Sequence, residues 1–212
     1  TTTDRYMEAI RFMPAYPAAS PGRFNPEVEI FRGFWMITWF KNELARKEAD
    51  DAGKAGILPE TVFDQYLEDT PPGAMGLTVQ PYWAPGLAYP RAKGAMIGFG
   101  DVHTKAHIYR ALIEGLGFGL MEGRGRIEKK TGVLMERAAV SGGASQSDGI
   151  CRIFADIFNI PMVRTQTHET SCLGAAVLTA VGTGLYQDLA GAASAMIHET
   201  TVFEPDPGNV RL

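Results

Sequence analysis

From Ala138 to Gly184 the rhythm of apolar and polar positions changes several times. Ala138-Ala139-Val140 is a short apolar run that breaks into Ser141-Gly142-Gly143, and helical spacing begins within a few residues. Ile150, Ile153, Phe154, Ile157 and Phe158 fall on one face of a predicted amphipathic helix. Pro161-Met162-Val163 then reads as a short buried strand. Leu173-Gly174-Ala175-Ala176-Val177 begins a helix whose small side chains allow close packing against a neighbour. The order is strand, glycine turn, helix, strand, helix.

Upstream, the Pro-, Gly- and Ser-rich residues 12–24 read as loop. Glu27-Val28-Glu29-Ile30-Phe31 alternates charged and apolar residues as a half-exposed strand does, and Gly33 punctuates it. Residues 34–49 are helical in pattern, with Trp35, Trp39, Phe40 and Leu44 expected on the core face. A polar break at 52–55 precedes a shorter helix over 58–67, which has Pro59 near its start and is closed by Pro71-Pro72-Gly73. Residues 77–80 and 96–99 are predicted strands around a proline-rich loop.

The longest helical stretch covers 101–130, with Ile108, Leu112, Leu116 and Leu120 at four-residue steps. Gly115, Gly117 and Gly119 lie inside it, each costing about 1 kcal/mol against alanine in helix propensity. Close packing against another element would explain them. A helix over 189–197, a strand over 201–203 and a loop at Pro205–Gly208 complete one domain.

The chain has 212 residues, 45% hydrophobic and 21% charged, and a net charge of −4. That is an ordinary globular composition with enough length for a real core. The acidic balance gives no general basic surface for nucleic acid. No apolar run approaches the roughly 18 residues that span a bilayer, and no signal-peptide pattern opens the chain. Neither a nucleic acid nor a membrane is an expected partner, and a cytoplasmic location is the simplest expectation. Cys151 and Cys172 both lie in apolar helical patterns and are expected to be core thiols. Thr1-Thr2-Thr3-Asp4, without a Met, reads as the start of a piece cut from a longer protein.

The glycine pair after the Ala138–Val140 strand carries the chemistry. Glycine permits positive φ and lets a ligand approach main-chain N–H groups without meeting a Cβ. The helix start beyond it adds unpaired donors and a positive dipole end. Such a turn suits a nucleotide or another flat, partly anionic ligand. His103 and His107 have the spacing of a two-histidine metal site, but only Thr104-Lys105-Ala106 lies between them. They read as helix-start residues, and no metal site is expected. Nucleophile-elbow, P-loop and dinucleotide fingerprints are absent from the sequence. Asp148 and Asp156, on the helix after the glycine pair, are expected to take solvated or dipole-pairing roles. The sequence offers a binding turn and no general base.

Three segments resemble the FGGY carbohydrate kinases, the family of glycerol kinase and xylulokinase. Gly94-Ala95-Met96-Ile97-Gly98-Phe99, followed by His107-Ile108-Tyr109-Arg110-Ala111-Leu112-Ile113-Glu114, is similar to that family's second signature, with Phe99 and Leu112 as departures. Ser141-Gly142-Gly143-Ala144-Ser145-Gln146-Ser147 resembles its adenosine motif. Glu169-Thr170-Ser171-Cys172-Leu173-Gly174-Ala175-Ala176 resembles the helix start that follows. More loosely, Gly33 falls where the family has a glycine pair, Phe34 replacing the second glycine. Thr1-Thr2-Thr3 resembles the remainder of a Gly-Thr phosphate turn.

The resemblance implies an α/β, ribonuclease-H-like (actin-like ATPase) domain with a mixed sheet flanked by helices. Residues 1–212 would be the C-terminal nucleotide-binding domain, the N-terminal sugar-binding domain being absent from this chain. It implies ATP or ADP and Mg²⁺ as cofactors, and a sugar or polyol as the phosphoryl acceptor. Gly142, Gly143 and Ala144 would line the adenosine pocket, Ser147 would face the purine, Gly33 would mark a second nucleotide contact, and phosphates would reach toward Thr2 and Thr3. The family's catalytic aspartate would precede residue 1, so no catalytic residue is assigned here and the domain alone is expected to be inactive. The alternative expectation is an actin-like nucleotide-binding or regulatory module without turnover. Trp83 and Tyr89 are expected to be exposed, facing either the other domain or a second subunit of a homodimer.

Overall fold

The computed structural model describes residues 2–11, 13–57, 59–86 and 89–212. Thr1, Phe12 and Leu58, each part of an expectation above, lie outside the described residues, as do Leu87 and Ala88. The core is built around helix α4, Lys105–Thr131, against which α3 (Pro59–Asp69), α5 (Asp148–Phe158) and the hairpin β5–β6 (Thr78–Gln80, Ala95–Ile97) pack. The helix starts where Thr104 N donates to His107 Nδ1 at 3.2 Å, and it ends at Gly132, left-handed with φ 72°.

The glycines expected to mark close packing do so. A Cβ on Gly117 would stand 2.6 Å from Ile157 Cδ1, and one on Gly119 would stand 2.8 Å from Ile30 Cδ1. One on Gly115 would overlap the Val79 carbonyl oxygen. Helix α1 (Trp35–Glu43) adds Phe40, which meets Phe63 edge-on at 5.6 Å and Tyr109 at 5.0 Å. Arg110 and Glu114 are also buried in α4. Arg110 Nε reaches Glu114 Oε1 at 2.7 Å, and Arg110 Nη1 donates to the carbonyls of Leu67 and Thr70.

The principal sheet is β7–β8–β9: Ala138–Val140 runs parallel to Met162–Thr165, which runs antiparallel to Glu199–Phe203. Helices α6 (Thr170–Gly182) and α7 (Leu189–Met196) join the last two strands. Two short antiparallel pairs, β1–β2 (Glu8–Ile10, Met13–Pro14) and β3–β4 (Tyr16–Pro17, Phe24–Asn25), open the chain.

Several expectations are corrected. Residues 27–31 form no strand: Val28 and Ile30 dock into the α4 notches at Gly123 and Gly119, so their alternation serves helix packing. The helix predicted over 34–49 is two, because the fully buried Ala45 makes a corner before α2 (Arg46–Lys54). Residues 52–54, read as a break, belong to α2. The buried face of α1 is Met36, Ile37 and Phe40; Trp35 is 43% exposed, beneath the Arg32 guanidinium, and Leu44 is 38% exposed. The segment read as loop over 12–24 holds β2, β3 and the start of β4. Cys172 is exposed on α6, whereas Cys151 is buried. Trp83 is half-buried against Trp39, their centroids 5.3 Å apart, while Tyr89 is exposed. None of the described helices is long and apolar enough to cross a membrane.

Candidate functional site

Strand β7 ends at Val140, and the chain then needs a sharp change of direction to enter α5. Gly142 supplies it with φ 77° and ψ −175°, a conformation that disfavours other residues. Gly143–Gln146 forms a short 3₁₀ turn, and Ser147 caps α5 by accepting a hydrogen bond from Ile150 N at 3.0 Å.

Both ends of the turn are pinned. Gly142 N donates to the carbonyl of His168 at 2.9 Å, tying the turn to the loop after β8. Ser145 Oγ folds back onto the Gly142 carbonyl at 2.7 Å. At the far end Ser147 is 6% exposed, and its hydroxyl donates to Asp64 Oδ1 on α3. Between these anchors, the N–H groups of Gly143 and Ala144 stand in the first turn of the 3₁₀ segment, where no intrahelical acceptor exists for them. A Cβ built on Gly142 or Gly143 meets nothing within 4 Å, so the outer face of the turn is open.

Behind the turn lies an apolar cavity of about 220 Å³ lined by residues that include Phe34, Val140, Ser141, Ala144, Phe154 and Phe158. The Phe34 ring packs 5.7 Å from that of Phe154. Charged groups flank the turn. Asp148, in the first turn of α5, pairs with Arg164 at 2.8 Å and with Arg152 at 3.6 Å. Burial pushes the Asp64 carboxyl above its ordinary value, against the hydrogen bond from Ser147 that lowers it. The Cys151 thiol is pushed up by burial and is a packing group.

The sequence-predicted residues divide into two sets. Gly142, Gly143, Ala144 and Ser147 form one continuous turn, and the chain after Gly33 brings Phe34 to the cavity behind it. Gly33 itself is a tight-turn residue: its N–H reaches the Ile30 carbonyl at 2.8 Å, and a Cβ would stand 3.0 Å from that oxygen. Thr2 and Thr3 do not line the cavity; Thr3 forms an antiparallel bridge with Phe24, and Thr2 Oγ1 lies 3.4 Å from Asn25 Oδ1. His103 and His107 serve the start of α4, where Gly100 N donates to His103 Nδ1 at 2.8 Å. The reading of residue types passed over Asp64 and the His168 carbonyl. Asp64 carried a signal: it sits between Phe63 and Leu67, the buried residues of α3, where an acid requires a partner.

The model of the FGGY family of carbohydrate kinases, C-terminal domain, matches residues 17–183. The chain belongs to the FGGY family of carbohydrate kinases. Among curated relatives, the uncharacterized sugar kinase YgcE of Escherichia coli is 32% identical over 86% of this chain and 37% of its own. Glycerol kinase 1 of Clostridium tetani is 31% identical over 85% of this chain and 34% of its own. The chain thus spans little more than a third of the length of these relatives. The ligand-bound xylulose kinase of Lactobacillus acidophilus superposes with a TM-score of 0.81 at 24% identity, covering 100% of this chain and 41% of that one. The Plasmodium falciparum glycerol kinase with ADP gives 0.72 at 20% identity, over 89% and 36%. Likeness at that identity establishes fold, and the fold of this FGGY chain is the ribonuclease-H-like, actin-like ATPase fold expected from its motifs.

Proposed function

We propose that this FGGY chain is the nucleotide-binding C-terminal domain of an ATP-dependent carbohydrate kinase, which moves the terminal phosphoryl group of ATP to a hydroxyl of a sugar or polyol. The supporting observation is the open Gly142–Gly143 turn, with main-chain donors at Gly143 and Ala144 and the α5 N-terminus beyond. A purine set against that backbone meets N–H groups and no side chain, a geometry suited to a flat heterocycle. Phosphoryl transfer depends on positioning and charge compensation more than on covalent help from protein. In this reading the chain contributes positioning, and a second domain contributes the sugar pocket and the base for the attacking hydroxyl.

Among the described residues no three His, Cys, Asp or Glu side chains gather to hold a metal. Mg²⁺ therefore enters the proposal only as the ion that nucleotide phosphates carry with them. Use of ATP fits a cytoplasmic setting. Gly142, Gly143 and Ala144 are the contacts we favour. Thr2 and Thr3 belong to the proposal as phosphate neighbours only if the second domain reorganises the first strands around them.

The test is ADP release by the longer protein over a panel of pentuloses, hexuloses and polyols. Phosphorylation of one class supports the kinase. Nucleotide binding without phosphorylation of any of them favours an actin-like module without turnover.

A further inference from the structure

We infer that Asp64 is a positioning residue for the nucleotide turn, acting through Ser147; this rests on the reading of that turn given above. The resemblance to the family turns Ser147 toward the purine. The geometry gives its hydroxyl other work. Its proton goes to Asp64 Oδ1 and its lone pair receives the Ile150 N–H at 3.0 Å. With its only proton and one of its two lone pairs committed, and only 6% of the residue exposed, Ser147 acts in this inference as a strut.

Asp64 comes from α3, 83 residues away in sequence, and reaches Ser147 because α3 and α5 approach closely. Gly149 makes that approach: a Cβ there would lie 2.9 Å from Leu67 Cδ1 and 3.4 Å from Leu67 Cβ. Phe63 and Leu67, buried on either side of Asp64 in the sequence, fix α3 against the core. The carboxylate is therefore held by packing. The groups acting on it are Asp148 and Arg152 of α5, Glu68 on its own helix, and Ser147.

The turn is consequently clamped at two points: the His168 carbonyl holds Gly142, and Asp64 holds Ser147. Between the clamps, the Gly143 and Ala144 N–H groups at the start of the 3₁₀ turn are held in place before any ligand arrives. Pre-organisation of this kind raises affinity by removing an ordering cost at binding. Releasing the Asp64 clamp frees Ser147 to rotate and lets the 3₁₀ turn relax, so nucleotide affinity falls although no ligand contact has been removed.

The experiment is calorimetric titration of Mg·ADP into the 212-residue chain, with thermal denaturation measured alongside for every variant. Asp64→Ala is expected to weaken ADP binding about tenfold, and Asp64→Asn, which keeps an acceptor oxygen, to stay within about twofold of the unmodified chain. Adding Asp64→Ala to Ser147→Ala should cause no further loss, because the bond is already gone. Asp64→Glu keeps the charge but displaces the oxygen by one methylene, and is expected to weaken ADP at an unchanged melting temperature. Undiminished ADP binding by Asp64→Ala or Asp64→Glu, or additive losses in the double variant, overturns the role of Asp64 while leaving the turn as the site. Failure of the unmodified chain to bind ADP overturns the reading of the turn, and this inference with it.

Discussion

Gly115 lets the longest helix lie directly on the backbone of Val79: a methyl group at residue 115 would overlap the Val79 carbonyl oxygen. A carbonyl held in the β5–β6 hairpin cannot swing aside as a side-chain end can. Gly115→Ala is therefore expected to destabilise the chain by about 2 kcal/mol or more, despite alanine's better helix propensity. Gly125, in the same helix, meets nothing within 4 Å of its built Cβ, so Gly125→Ala should stabilise by about 0.5–1 kcal/mol. Urea denaturation of the two variants checks the contrast, and equal effects would contradict it.

Arg110 and Glu114 form a buried pair that also holds the carbonyls of Leu67 and Thr70 and the N–H of Gly73. Removing one partner leaves a charge buried without compensation. Glu114→Ala is expected to cost about 3–5 kcal/mol, measured by chemical denaturation. A cost below about 1 kcal/mol would mean that the pair is solvated in solution.

Two carboxyls give pH dependences of opposite sign. For Glu128, burial pushes the pKa up, but the Met135 N–H and Arg124 outweigh it and leave the group below its ordinary value. Its stabilising contribution is present above the unfolded value near 4.3 and is lost as pH falls through the folded one. Asp64 is raised by burial, so its contribution is present below the unfolded value near 3.9 and is lost as pH rises through the folded value. Glu128→Gln should flatten the loss of stability on acidification, and Asp64→Asn should steepen it. Denaturant midpoints between about pH 3 and 6 decide, and the same slope in both variants contradicts the assignment.

Gly143 has no positive φ and faces open space, so Gly143→Val should leave stability within about 0.5 kcal/mol while its branched side chain covers the N–H groups beside it. ADP affinity is expected to fall at least tenfold in calorimetry. A loss of stability matching the loss of affinity would make the effect a folding one.

The parts of this molecule legible in sequence are those where a residue type contradicts its local pattern. Glycines inside α4 announce close contacts, and a glycine pair after an apolar run announces an open turn. What stayed hidden depends on partners far along the chain. Val28 and Ile30 alternate with glutamates as strand residues do, and only the notches at Gly119 and Gly123 reveal them as helix-packing knobs. The corner at Ala45 carries no Gly or Pro, so nothing local divides α1 from α2. Ser147 is a cap that any helix start would display, and its bond to Asp64 spans 83 residues.

The central claim is that the main chain of Gly142–Ala144 holds a nucleotide. Amide hydrogen exchange of the 212-residue chain, with and without Mg·ADP, tests it most directly. The account predicts new protection at Gly143 and Ala144 that disappears in Gly143→Val. Binding of ADP with protection confined to other segments, and none at these two amides, would contradict it.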